Sequence, residues 1–91
     1  MVGLFCFKNM LFKVYIIYSN KIDKFYVGYS GDILEERIRK HNTNHKGFTG
    51  KANDWELKYF EEYSEKSEAI KRELSIKNKK SRKHIERLIA G

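Results

Sequence analysis

The sequence predicts an α+β domain: a small three-stranded sheet in the order β-β-α-β-α-α, with helices packed around it. Two β-branched and aromatic runs, residues 13–18 and 25–29, stand close enough to pair as a hairpin. A third run, Trp55 to Tyr63, alternates large apolar residues with Glu and Lys. Helical spacing marks residues 32–41 between the hairpin and that run, and nearly everything after it. Three strands cannot bury themselves, so helices must cover at least one face.

Lys13-Val14-Tyr15-Ile16-Ile17-Tyr18 reads as a buried strand, and Ser19 to Lys24 as a polar turn. Phe25-Tyr26-Val27-Gly28-Tyr29 closes the hairpin. Asp32 offers an N-cap with Glu35 three residues on, the capping-box pattern. That helix runs to about His41, where Asn42-Thr43-Asn44 ends it. Residues 43–53 form a polar loop with Gly47 and Gly50. Ser67 caps a second helix through about Lys77, and Ser81 starts a third with Ile85, Leu88 and Ile89 as its apolar stripe. Residues 1–12 are apolar but weakly patterned. They read as an N-terminal extension outside a domain of residues 13–91, with Met10 as an alternative start. The segment lacks a basic n-region and a small-residue cleavage site, which argues against a signal peptide. Lys8 and Lys13 argue against a membrane span.

At 91 residues the chain is one domain with room for one small core, rich in its six Tyr, six Phe and one Trp. A single cysteine, Cys6, excludes an intramolecular disulfide and fits a reducing cytoplasm. The net charge of +7 favours an acidic partner. Residues 64–91 hold nine Lys/Arg against four Glu, so most of the excess lies there. Lys77, Lys79, Lys80, Arg82 and Lys83 are its densest part. Such a patch binds phosphate through counterion release without reading sequence; the competing reading is a well-solvated helix face.

Charge also stands where a core should be. The face Leu34, Arg37, Ile38, His41 of the first helix is half cationic or titratable. The face Ile70, Glu73, Leu74, Lys77 of the second carries a carboxylate, which is costly to bury unless paired or metal-bound. Each has a plain alternative. Arg37 could pair with Glu35 or Glu36, and His41 suits a helix C-terminus whatever its task. Glu73 and Lys77 have the favourable helix ion-pair order. Tyr15 and Tyr26 could be core aromatics.

Taken in order, these residues resemble the GIY-YIG nuclease domain, most of all its small stand-alone bacterial members. Lys13-Val14-Tyr15 resembles the first triplet and Tyr26-Val27-Gly28 the second, with ten residues between them. Arg37 and His41 resemble the family's helix, and Glu73 its metal-binding glutamate. Lys13 replaces the first glycine. One residue more than in many members separates Tyr26 from Arg37, to be absorbed at Ser30-Gly31-Asp32-Ile33. The resemblance implies a divalent-metal-dependent endonuclease that hydrolyses phosphodiester bonds in nucleic acid, DNA before RNA, in repair or structure-selective cleavage. It implies Mg²⁺, or Mn²⁺, on Glu73, with waters filling the other positions. Arg37 would neutralise charge on the phosphoryl oxygens. Tyr15 and His41 are the candidates for general base: Tyr15 on the water, its pKa lowered by the metal and Arg37, and His41 taking or relaying the proton. Tyr26 would orient water or phosphate, and Gly28 would allow close approach to a helix. Lys77, Lys79, Lys80, Arg82 and Lys83 would hold the nucleic acid, helped by the Lys46-to-Lys51 loop, Thr49 and Asn42. A dimer or a protein partner would supply selectivity.

One geometric demand follows. Tyr15 and Tyr26 share a sheet face only if paired residue numbers sum to an odd value, as in Tyr18 with Phe25 and Ile17 with Tyr26. The competing functions are a non-catalytic nucleic-acid-binding module on the same scaffold and, last, a protein-interaction module.

Overall fold

The computed structural model describes residues 11–43 and 47–91. Within them the chain runs β1 (Phe12–Ser19), β2 (Lys24–Ser30), α1 (Leu34–His41), a 3₁₀ turn (Phe48–Lys51), β3 (Trp55–Tyr63), α2 (Lys66–Lys79) and α3 (Arg82–Ala90). The order is the β-β-α-β-α-α of the sequence reading. Phe12, assigned there to the extension, belongs to β1 and packs on the core. The rest of that extension falls on residues 1–10 and on Leu11, which precedes the strand; residues 1–10 lie outside the described residues.

The sheet is antiparallel in the order β2-β1-β3. The central position of β1 explains its unbroken apolar run, since a strand flanked on both sides and covered on both faces has no solvent side. Val14, Tyr15, Ile16 and Ile17 are all 0 % exposed. On one face Val14, Ile16 and Val27 pack against Ala69 and Ile76 of α2, with Ile85, Leu88 and Ile89 of α3. On the other, Tyr15 and Ile17 pack with Ala52, Trp55, Tyr26 and the α1 residues Leu34 and Ile38.

The hairpin register meets the geometric demand. Tyr18 pairs with Phe25, Ile17 with Tyr26 and Tyr15 with Gly28. Both tyrosines therefore stand on the α1 face. In β3 the pairing changes phase: Ile16 faces Tyr59, but Ile17 faces Leu57, so Lys58 is the extra residue of a bulge. The bulge turns Trp55 toward α1, while Tyr59 and Tyr63 pack with the α2–α3 side. A regular alternation would have put all three on one face.

Two caps differ from expectation. The N-cap of α1 is Ile33, not Asp32, and no side chain caps it. The Asp32 N–H donates instead to Ser30 Oγ at 2.9 Å. That small turn leads the chain from β2 into the helix. The N-cap of α2 is Glu65, which places Ser67 inside the first turn. Ser81 does cap α3, its hydroxyl accepting from the His84 N–H at 3.1 Å. The buried stripe of α2 is also rotated. Ala69 and Ile76 are its buried residues, and Leu74 is 49 % exposed. Arg72 and Glu73 flank this stripe.

Candidate active site

The Tyr15 hydroxyl is the hub of the α1 face. It lies 2.7 Å from His41 Nε2, and Arg37 donates to it through Nε at 3.3 Å. Arg37 and His41 reach it because they are one turn apart on α1, on the side that packs against the sheet. Arg37 thus does not pair with the neighbouring glutamates; Glu36 is engaged by Arg39 at 2.9 Å. His41 is buried, and its Nδ1 stands 3.0 Å from Thr49 Oγ1. An imidazole protonated on Nδ1 satisfies both contacts: Nδ1–H donates to Thr49 and Nε2 accepts the phenol proton.

The imidazole is held by a frame around it. The Asn42 amide donates to the Trp55 carbonyl at 3.0 Å and accepts from the Trp55 N–H at 2.7 Å. This ties the end of α1 to the start of β3. The Trp55 indole in turn donates to the Thr49 carbonyl at 2.8 Å. Of the two residues expected to touch a nucleic-acid backbone, Thr49 is buried and orients His41, and the half-buried Asn42 clamps Trp55. Lys46, the start of the loop expected to help, lies outside the described residues.

Gly28 has a role different from the one expected. The nearest atoms an added Cβ would meet belong to the Tyr15 phenol, the hydroxyl oxygen at 2.7 Å and Cζ at 2.8 Å, with Tyr26 Cε2 at 3.0 Å. The missing side chain makes space for the phenol rather than for a helix. Tyr26 stands beside the imidazole, ring centroids 5.2 Å apart. Tyr26, Arg37, Lys40, His41, Phe48 and Thr49 line a cleft of about 370 Å³.

Burial is the largest influence on Tyr15 and pushes its phenol above the ordinary value. The downward pull of Arg37 is smaller, so the expected lowering is not present in the protein alone. The charge of Glu73 also reaches Tyr15 and adds to the rise. Glu73 accepts from Lys77 Nζ at 3.0 Å, and that ammonium lies 5.6 Å from the centroid of the Tyr26 ring. The helix ion pair offered as the plain alternative is therefore present, and it reaches the Tyr26 side of the cleft. Among the described residues no group of three or more His, Cys, Asp or Glu is placed to hold a metal.

The five basic residues expected to bind nucleic acid divide into two kinds. Lys79, Lys80 and Lys83 are exposed around the α2–α3 corner. Lys77 is engaged by Glu73. Arg82 is tied into the fold, 2.7 Å from Asp23 and 3.2 Å from Glu86, with its guanidinium over the Phe25 ring.

A sequence model of the GIY-YIG catalytic domain matches residues 12–86. The chain belongs to the GIY-YIG family. No curated protein and no solved structure matches it. GIY-YIG domains are generally nucleases, and the phenols, guanidinium and imidazole brought together here are the residues that the two triplets and the first helix pointed to. Three residues outside the motif support these groups: Thr49 faces His41, Asn42 holds Trp55, and Ser30 holds the turn before α1. Their types are common in loops and turns, and nothing in their spacing marks them.

Proposed function

We propose that this GIY-YIG domain is a divalent-metal-dependent endonuclease that hydrolyses phosphodiester bonds in nucleic acid, with DNA as its first substrate. One observation supports this most: the buried Tyr15 hydroxyl lies between the Arg37 guanidinium and the His41 imidazole, beside an open cleft.

The residues do the following work. Arg37, a cation at every working pH, binds the scissile phosphate and offsets the charge that builds on its oxygens. Its Nε lies on the phenol in the free protein, so turning to the phosphate uncovers Tyr15. The phenol keeps its proton at neutral pH, because its pKa is raised. It therefore acts as a relay: it takes a proton from the attacking water as its own passes to His41 Nε2, already 2.7 Å away. Thr49 orients the imidazole, and in the tautomer protonated on Nδ1 its Nε2 is free to accept. Tyr26 orients the phosphate, and Lys79, Lys80 and Lys83 bind the flanking backbone.

Glu73 fits a divalent ion. Its side chain is largely enclosed, and its carboxylate already holds a cation, the Lys77 ammonium. A site with one protein carboxylate suits Mg²⁺ or Mn²⁺, which keep several waters. When bound, the ion supplies Lewis-acid stabilisation of the phosphoryl and leaving oxygens.

The test is incubation of purified protein with linear, single-stranded and branched DNAs and with RNA, with and without Mg²⁺ or Mn²⁺, beside Arg37→Ala and Glu73→Ala. Metal-dependent product is expected from the wild type and from neither variant, with both variants folded. Cleavage by both variants at the wild-type rate would place any activity elsewhere. Salt-dependent binding without product would favour the non-catalytic module.

A further inference from the structure

Lys77 is a charged group beside the cleft that the proposed chemistry does not use. Its ammonium rests on Glu73 Oε2 at 3.0 Å, and the two side chains differ in exposure, 12 % for Glu73 and 42 % for Lys77. An ordinary surface pair has both ends in water. Here the carboxylate is enclosed and the lysine closes its open side. The same ammonium lies over the Tyr26 ring. Lys77 also lines a groove of about 440 Å³ beside β2, together with Tyr26, Phe48 and Lys80, and Tyr26 and Phe48 are shared with the cleft.

We propose that Lys77 is a built-in counter-ion for Glu73: a divalent cation displaces it, and the freed ammonium swings into the groove as a phosphate contact. This rests on reading Glu73 as the metal ligand. The physical grounds are direct. A divalent ion on the Glu73 carboxylate would stand a few ångströms from the ammonium, and the repulsion between the two cations favours its departure. Unpaired, the enclosed carboxylate would carry a desolvated charge, so something must hold it before metal arrives. Lysine suits a temporary holder better than arginine, being a compact charge on a flexible stem with no bidentate grip. Its exposure leaves it room to rotate. Displacement also costs metal affinity, and that cost is measurable.

The experiment is calorimetric titration of the full chain with Mn²⁺ alone, in the wild type and in Lys77→Met, Lys71→Met and Glu73→Gln. Lys71 is an exposed lysine on the same helix, so its variant removes the same charge from α2. Lys77→Met should bind Mn²⁺ roughly tenfold more tightly than wild type, as expected for removing one unit charge a few ångströms from the ion in a partly solvated site. Lys71→Met should change affinity far less, and Glu73→Gln should lose binding. Equal affinities in the two lysine variants would overturn the inference and leave the nuclease reading intact. Wild-type Mn²⁺ binding by Glu73→Gln would overturn both, since the metal would not sit on Glu73. Should Lys77→Met fail to fold, the NMR signal of the Lys77 side chain in wild type answers instead. It should shift on addition of Mg²⁺, and an unmoved signal refutes displacement.

Discussion

Replacing Gly28 by alanine tests the geometry of the site without changing the identity of any proposed catalytic group. The added Cβ would lie 2.7 Å from the Tyr15 hydroxyl oxygen and 2.8 Å from Cζ. Comfortable carbon–carbon contact begins at about 3.5 Å, so the phenol must retreat by roughly 0.7 Å. The far end of a side chain can often yield cheaply. Tyr15 cannot, being fully buried and held at its hydroxyl by His41 and Arg37. Overpacking of this kind costs about 1–3 kcal/mol. The loss of a flexible glycine from a strand returns about 0.5–1 kcal/mol. The net cost is about 1–2 kcal/mol, which in a domain of this size lowers the melting temperature by roughly 4–16 °C. Activity should suffer more than stability, because a displaced relay group costs about 10²-fold per ångström. The assays are thermal melting by circular dichroism and single-turnover cleavage in Mg²⁺ at a temperature where the variant is folded. A second substitution sharpens the test. Tyr15→Phe in the Gly28→Ala background removes the oxygen contact but keeps the one to Cζ, so little stability should return. A Gly28→Ala protein that melts with the wild type and cuts at its rate would show that the phenol has slack. The hub would then not depend on its place.

Two further outcomes follow from charges away from the cleft. Burial pushes the Glu61 carboxyl up, but hydrogen bonds from Arg72, Tyr59 and Tyr63 outweigh it and hold the group at about 2. The fold thus favours the carboxylate. The stability this confers is present above the unfolded value of about 4.3 and is lost as pH falls from there toward the folded value, about 1–2 kcal/mol once solvent screening of the partly exposed pair is allowed for. Urea titrations across that window should show Glu61→Gln losing less than the wild type, from a lower starting stability. In DNA binding, Lys80→Gln with Lys83→Gln should flatten the dependence of log affinity on log salt by roughly 0.9 for each phosphate left without its lysine. Arg82→Gln should leave that slope unchanged and lower the melting temperature, because Arg82 is engaged by Asp23 and Glu86. An equal slope change in Arg82→Gln would return that residue to the nucleic-acid surface.

The elements legible in the sequence are those whose cause is local. The run Val14 to Ile17 announces a central strand, because only a strand covered on both faces can be apolar at every position. Arg37 and His41 announce a site, because a helical stripe that alternates apolar and titratable residues needs a reason. What stayed illegible depends on contacts between distant segments. Asp32 and Glu35 have capping-box spacing, yet the Asp32 N–H is taken by Ser30 and the helix begins after Ile33. Lys58 looks like one more polar residue of an alternating strand, yet it is the bulge that sends Trp55 to the opposite face from Tyr59. The stripe of α2, read one residue out of phase, hid how Arg72 and Glu73 divide. Arg72 grips Glu61 on β3 with bonds of 2.9 and 3.0 Å, and Glu73 holds Lys77 over Tyr26 of β2.

That division joins the scaffold to the site. The ends of the cleft residues are set from three sides. The hairpin register sets the tyrosines, the Asn42–Trp55 clamp and Thr49 set His41, and the grip of Arg72 on Glu61 ties α2, which carries Glu73, to β3. Register and clamp meet at β1 and β3, whose relative phase depends on Lys58. A deletion of Lys58 would therefore act on the imidazole as well as the sheet. Trp55 would rotate to the α2 side, its indole would leave the Thr49 carbonyl, and Thr49 would no longer fix Nδ1 of His41. The bulge is thus part of what holds His41 against the Tyr15 phenol, the contact on which the proposed relay rests.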